Sequence, residues 1–554
     1  MKNYLIIAFL LLTTTLFAQK KAPDFWQTLD PKTDNVYGVG SEEAYKTLGT
    51  KTSKTVIVAV IDCGVDFNHE DLKSVIWTNP GEIPDNGIDD DHNGYVDDIH
   101  GWSFLGGKNG DIGDDVTELV RLVKKGDKKY ATADESTMSV AEAKEYAEYK
   151  KMKAAFRETQ QKQEKQIQSM DRSISLFDKV RKQNNGDLTI DGLKKYVPEN
   201  DNEKKIVKNL LAYKGMKLED MEKGYKRGKA RVEKEIARNM VNTDSIRQAI
   251  VGDDLNNPNE RFYGNNHIQG PDASHGTHVS GIIAAVRDNN LGIKGIADNV
   301  KIMVIRAVPD NGDERDKDVA NAIRYAADNG ATVVNMSFGK DYTTDKNVID
   351  EAVKYAESKD VLLIQAAGND SRNDDIKLPF PNREYLSEGE ASNWIMVGAN
   401  AYLDNKKIIG SFSNYGKKKV DLFAPGVGVY SCLPDNKYAN MSGTSMASPS
   451  TAGVAAMIRE YFPALKAPEV REILMKTVIR TDDKVNVPGL TRKKLFSKKT
   501  KPVTRKVAYL CISGGFVNAD NAVKELMLLN VSSIYFRKAL ADLDLRFGIV
   551  LLVF

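Results

Sequence analysis

Cysteine is nearly absent: Cys63, Cys432 and Cys511 are the three in 554 residues. Three widely spaced thiols cannot build a disulfide framework, and an odd number leaves at least one free or paired with another molecule. No CxxC or Cys/His cluster is present, which excludes the common zinc sites. Net charge is scarce too. The 79 Lys and Arg stand against 77 Asp and Glu, a balance of +2, so overall charge gives no ground for a nucleic acid or an anionic membrane as partner. Past the N-terminus no apolar run reaches the roughly 20 residues that a membrane-spanning helix needs.

What is present suits a globular protein. At 41% hydrophobic and 28% charged, the chain has enough apolar material for one large core with an elaboration, or for two to four ordinary domains. The N-terminal "MKNYLIIAFLLLTTTLFAQKK" has a basic start, an apolar stretch from Leu5 to Leu12, and the small Ala18 before a polar segment. That pattern predicts a signal peptide over 1–18 and export to the periplasm, cell surface or medium.

From Lys54 the run "KTVIVAVID" is β-branched and apolar on both faces, as in a buried parallel strand. "VKIMVIRAV", "ATVVNMSFG" and "VLLIQAAGN" repeat the pattern, with helical segments such as "DVANAIRYAADNG" and "NVIDEAVKYAESKD" between them. Alternating strand and helix predicts an α/β fold with a mostly parallel central sheet and right-handed crossovers. Ligands bind such sheets at the carboxyl ends of the strands, where Asp62, Ser337 and Asn369 fall.

Between 115 and 249 the composition turns to Lys, Glu and Gln. Tyr146, Tyr149, Phe156, Ile167, Met170, Ile174 and Phe177 follow three- and four-residue steps, broken by Gln160 and Gln163; Leu218, Met221, Tyr225, Val232 and Ile236 mark a second stretch. These predict a coiled-coil-like helical hairpin with a short helix near "TIDGLKKYV" between its arms. The insertion could gate access, dock a partner or brace the fold.

Three blocks hold candidate chemistry. In "NMSGTSMASPSTAGVAA", Ser445 precedes a small-residue helix, either as an N-cap or as a nucleophile at the positive end of the helix dipole. In "GPDASHGTHVSGIIAAV", His275 and His278 lie one helical turn apart; with no acidic partner as in HExxH, a general base fits His275 better than a metal pair. Asn369 follows Gly368 just past a strand and is either a turn residue or an amide donor.

Taken together and in order, "VIVAVIDCGVD", "SHGTHVSGIIAA", "VVNMSFG", "AAGN" and "SGTSMASPSTAG" resemble the subtilisin family of serine peptidases. The resemblance implies the three-layer subtilisin-like fold and an Asp62, His275, Ser445 triad, with Asn369 and the Ser445 backbone N–H binding the oxyanion. It implies peptide binding along Ser337, Phe338 and Gly339, with Ala367 and Gly368 as further substrate-binding residues, and a polypeptide substrate. Asp370, next to Asn369, is a candidate bias toward basic side chains. Two positions depart from the family pattern: Ser450 follows Pro449 where His is common, and Cys63 follows the catalytic Asp where small hydroxyl residues are common.

"NGIDDDHNGYVDDIHGW" resembles a calcium loop, with Asp89, Asp91, Asn93, Tyr95, Asp97 and Asp98 as candidate ligands; His100 stands where an EF-hand has Glu. A metal-free Asp/Asn-rich turn is the alternative. No cofactor is expected for catalysis. The short stretch between Ala18 and the first strand leaves no space for the family's usual prodomain. The boundaries read as 19–114 and 250–525 for the catalytic domain, 115–249 for the insertion, and 526–554 for a tail of unassigned role. The competing reading is a non-catalytic calcium-binding and helical interaction protein that keeps the fold.

Overall fold

In Val56–Asp62 (β1) every second side chain faces the same way, and both faces are dry. Val58 and Val60 point into one apolar cluster and Ala59 and Ile61 into another, all at 0% exposure. Each such side chain contributes about 1.5–3 kcal/mol on burial, which fixes the strand at the centre of a sheet covered on both sides.

The computed structural model describes residues 22–212, 215–402, 405–493 and 500–529; the signal-peptide expectation and most of the C-terminal tail lie outside them. The chain divides into two compact units, one made of Ala22–Glu118 with the segment from Asp244 onward, the other of Leu119–Thr243.

The first unit is built on a nine-stranded sheet. Its other strands are Gly101–Ser103 (β2), Val300–Arg306 (β3), Val333–Met336 (β4), Leu362–Ala366 (β5), Trp394–Asn400 (β6), Leu422–Pro425 (β7), Ile479–Arg480 (β8) and Gly515–Phe516 (β9). The spatial order is β8-β9-β7-β6-β5-β4-β1-β3-β2, parallel throughout except for β8 against β9. The register places Asp62 opposite Arg306 and Ile61 opposite Met336, so β1, β3 and β4 end side by side. Helices Ser274–Ala284 (α1) and Thr444–Tyr461 (α4) cover one face; Asp316–Asp328 (α2) and Lys346–Ser358 (α3) cover the other. This is the three-layer α/β architecture anticipated from the strand and helix alternation. Cys63, Cys432 and Cys511 are buried and unpaired.

The second unit holds the 44-residue helix Val140–Gln183, about 66 Å long at 1.5 Å per residue. A capping box of Ser139 and Glu142 starts it. It packs along Leu218–Met240, and Leu176, Phe177, Val180, Leu193, Leu210, Leu218 and Met221 share a core. Thr189 caps the short helix Ile190–Lys195, which falls on "TIDGLKKYV". Asp201–Ala212 forms a further helix that the hairpin pattern did not anticipate; its apolar Ile206, Val207, Leu210 and Leu211 stand in helical steps and were its signal. Gln163, expected to interrupt the stripe, is buried and donates to Glu235 at 2.8 Å. No helix of the described residues is long and apolar enough to cross a membrane.

Candidate catalytic site

Asp62 closes β1 with its side chain 4% exposed, and its Oδ1 accepts the Cys63 N–H at 2.8 Å. His275 is the second residue of α1. Helix and strand meet there because both contacting residues are glycines. A Cβ on Gly276 would lie 2.1 Å from the Gly64 carbonyl oxygen. The approach brings His275 Nδ1 to 2.8 and 3.0 Å from the two Asp62 oxygens. A carboxylate at Nδ1 holds the proton on that nitrogen, leaving the Nε2 lone pair available to act as a base. Burial opposes the charged imidazolium, but the Asp62 charge, its hydrogen bond and the charge of Asp272 outweigh it, holding the His275 pKa above the ordinary 6.5. His278 plays no part in this pair. It is buried, its Nε2 donates to the Ala439 carbonyl at 3.1 Å, and burial lowers its pKa to about 4.

The choice between cap and nucleophile at Ser445 is decided by position. Gly443 occupies the N-cap of α4, and Ser445 lies one residue inside the helix start. Its Oγ donates to the Ser337 carbonyl at 3.1 Å and not to His275 Nε2. In return Ser337 Oγ donates to the Ser445 carbonyl at 2.9 Å. That carbonyl is available because its helical partner four residues on is Pro449, which has no N–H. The proline thus fastens the serine block to the Ser337 edge, a role the sequence reading missed although a proline inside a helical pattern was its signal. Ser450 is fully buried and donates to the Met446 and Pro425 carbonyls at 2.8 and 3.2 Å, so it packs α4 and does not face the reacting groups.

Asn369 follows β5. Its Oδ1 accepts the Thr444 N–H at 2.9 Å and the Thr444 hydroxyl at 3.1 Å, which turns its amide donors the other way. A Cβ built on Gly443 would lie 3.6 Å from Asn369 Nδ2 and 3.6 Å from the Ser445 N. Asn369 Nδ2 and the Ser445 N therefore both lie near one point beside Gly443. The loop is set by Gly368, whose φ of 110° lies in the region open to glycine. Asn414 holds it further, accepting the Asp370 N–H at 2.9 Å and donating to the buried Ala367's carbonyl at 3.0 Å. Asn414 escaped the sequence reading, since an Asn in "SNYG" reads as a turn residue.

A cleft of about 230 Å³ opens beside the pair, lined by Asp62, Cys63, His275, Val308, Pro309, Asp310, Ser337 and Phe338. Ser337 and Phe338 were expected there, and Gly339 follows them. Val308, Pro309 and Asp310 were not, though they follow β3, the strand beside β1. Burial pushes the Asp310 carboxyl up to about 7. Asp370 is well exposed, with Arg372 Nη1 at 3.7 Å. The Cys63 Sγ donates to the Asp272 carbonyl at 3.1 Å, and burial raises its pKa well above the ordinary thiol value, which suits an inert filler.

The acidic loop sorts its residues into two groups. Glu82, Asp91 and Asp98 bring one oxygen each within 4.8 Å of one another. Glu82 was missed because it lies outside the alternating run. Asp89 instead accepts the Asn93 and Gly94 N–H groups, and Asp97 those of Asn86 and Gly87. Asn93 turns its Nδ2 toward Asp91 and Asp98, and Tyr95 is buried against Trp102 and Tyr325.

The subtilase family model matches residues 53–499. The thermophilic serine proteinase of Bacillus sp. (strain AK1) is 44% identical over 185 residues, covering 33% of this chain and 42% of that protein. Thermitase of Thermoactinomyces vulgaris is 41% identical over 184 residues (33% and 60%). Subtilisin DY of Bacillus licheniformis is 36% identical over 210 residues (38% and 72%). The chain thus spans 42% to 72% of the length of these curated relatives. With four-fifths of its length matched by one family model, and with the Asp62, His275, Asn369 and Ser445 blocks in that model's span, the chain belongs to the subtilase family.

Proposed function

We propose that this protein is an exported serine endopeptidase acting on polypeptides through Asp62, His275 and Ser445. The observation that carries the reading is the pairing of His275 Nδ1 with Asp62 at 2.8 Å, in the same unit where Asn369 Nδ2 and the Ser445 N both lie 3.6 Å from one point beside Gly443. On substrate binding the Ser445 hydroxyl leaves the Ser337 carbonyl and donates to His275 Nε2. Its oxygen attacks the scissile carbonyl as His275 takes the proton, and Asp62 stabilises the imidazolium. The oxyanion lies between Asn369 Nδ2 and the Ser445 N–H. His275 then protonates the leaving amine, and water enters to release the acyl group from Ser445. A scaffold would have no physical need for all four residue types at these strand and helix ends. The names of three relatives, two proteinases or subtilisins and thermitase, support a peptidase, and residues 1–18 support export.

Labelling with a fluorophosphonate probe tests this directly. Label on Ser445, absent from Ser445→Ala, is expected; a folded wild-type protein that takes no label would exclude an activated serine.

A structural Ca²⁺ is part of the same reading. Glu82, Asp91 and Asp98 offer hard oxygen donors, and none is ion-paired with Lys or Arg among the described residues. Their role would be to hold the 79–98 loop, away from the chemistry. Melting should rise with millimolar Ca²⁺ and fall with chelator, and Asp91→Asn should remove the difference; a chelator-insensitive wild type would reject the site.

A further inference from the structure

Directly after the Ser337–Gly339 edge comes Lys340, an ionisable residue with its side chain 1% exposed. Its backbone N–H and carbonyl are exchanged with Phe380, both at 2.8 Å, so its own place in the chain is fixed. Its ammonium reaches the chain segment that follows the cleft's Val308–Asp310 border. Val308, Pro309 and Asp310 line that border, and four residues past Asp310 the Glu314 carbonyl accepts from Lys340 Nζ at 2.8 Å. Two buried carboxylates hold the ammonium: Asp316 at 2.8 Å and Glu118 at 3.0 Å. Both are anchored in turn. Asp316 Oδ2 accepts from the Thr343 hydroxyl and from the Thr344 and Asp345 N–H groups, each at 2.8 Å. Glu118 accepts from the Thr344 hydroxyl, and its N–H donates to Asp313 at 2.8 Å. Glu118 is also the first residue of the helix Glu118–Lys129, where the chain leaves for the helical unit.

A buried lysine held this way links two chain segments more rigidly than apolar packing would, because each hydrogen bond is directional and removal of any partner leaves a charge uncompensated. We propose that Lys340 is a positioning residue, a strut that sets the spacing of the two borders between which an extended polypeptide lies, with Glu118 at the root of the insertion as its counter-charge. The inference deepens the peptidase reading and relies on it only for the nature of the ligand.

The test uses full-length protein and fluorescein-labelled casein, an unfolded polypeptide. In the Ser445→Ala background, Lys340→Met should raise the casein Kd about tenfold, whereas Lys340→Arg, which keeps the charge and donors, should stay within about threefold. In the active protein Lys340→Met should raise KM about tenfold with kcat falling about twofold. A general loss of structure would lower kcat and active fraction together and would not be rescued by arginine. A folded Lys340→Met that binds casein as tightly as its parent overturns the proposal. If Lys340→Met does not fold, Glu118→Gln decides: a rise of about threefold in Kd supports the strut and no change overturns it. Because binding is read without turnover, failure of the strut is separate from failure of the peptidase reading, which shows as absent label on wild-type Ser445.

Discussion

Both units carry exposed ion pairs, but among the described residues the pairs with both partners buried lie in the sheet unit. In the sheet unit Lys340 and Glu118 are paired at 1% and 3% side-chain exposure, and Arg247 meets Asp318 at 1% and 0%. In the helical unit Lys151 meets Glu148 at 72% and 57%, and Lys162 meets Glu158 at 65% and 66%, in the three- and four-residue steps of a helix surface. Surface pairs of that kind contribute about 0–1 kcal/mol each and tolerate exchange. Buried pairs tolerate the loss of one partner poorly, at about 3–5 kcal/mol. The contrast teaches where single residues matter: the sheet unit depends on individual polar groups with fixed partners, while the helical unit depends on the sum of its apolar seam.

The largest effect should therefore come from the smallest change in the sheet unit. Gly443 has an extended backbone, with φ 167°, that any residue can adopt. Its hydrogen is required only by space, since a methyl group would sit near both Asn369 Nδ2 and the Ser445 N. Gly443→Ala should lower kcat by about 10²- to 10³-fold, the scale of losing one oxyanion donor. KM and melting temperature should move little. A variant with near-normal kcat would mean that the oxyanion forms elsewhere.

In the helical unit a comparable cost needs a large core side chain. Phe177 is fully buried between the long helix and its neighbours. Phe177→Ala should destabilise that unit by about 3–5 kcal/mol through lost burial and the remaining cavity. Fluorophosphonate labelling of Ser445 should persist above that unit's lowered melting point, where its helicity is lost and the sheet unit is still folded. Parallel loss of helicity and labelling would break the comparison, showing that the two units fold as one.

The same contrast explains what the sequence disclosed. Continuous apolar runs gave away β1, β3, β4 and β5, because a strand buried on both faces must be apolar at every position. Asp62 and His275 were legible because their neighbours Gly64 and Gly276 are dictated by close approach, and Ser445 because it stands in the block SGTSMASP, so each residue comes with a recognisable block. Residues that act through backbone carbonyls were not legible. Lys340 and Asn414 have partners 20 or more positions away, and nothing local constrains their type; Glu82 stands just before the acidic run that its carboxylate joins. In the helical unit periodicity exposed the two long arms; Asp201–Ala212 was passed over although Ile206, Val207, Leu210 and Leu211 carry the same three- and four-residue steps over a shorter span.

The smallest effect sharpens the picture of the His275 site. Burial lowers the His275 pKa, while Asp62 and then Asp272 raise it, leaving it above 6.5. The first step needs a neutral imidazole, so kcat/KM should fall as pH drops through that raised value, with its midpoint above that of an ordinary histidine. Asp272 contributes only charge to this balance. Its Oδ1 also accepts the Ser274 N–H at 2.9 Å, a bond that an asparagine oxygen retains. Asp272→Asn should therefore move the acid limb to lower pH with little change in the plateau. Because Asp272 is exposed, the displacement should shrink as salt is added. Stability should respond with the opposite sense. The raised pKa stabilises the fold below 6.5, and that contribution is lost as pH rises through the folded value, so Asp272→Asn should melt slightly earlier at pH 5 and at an unchanged temperature at pH 9. An acid limb that stays in place at low salt would show that Asp62 alone sets the basicity of His275.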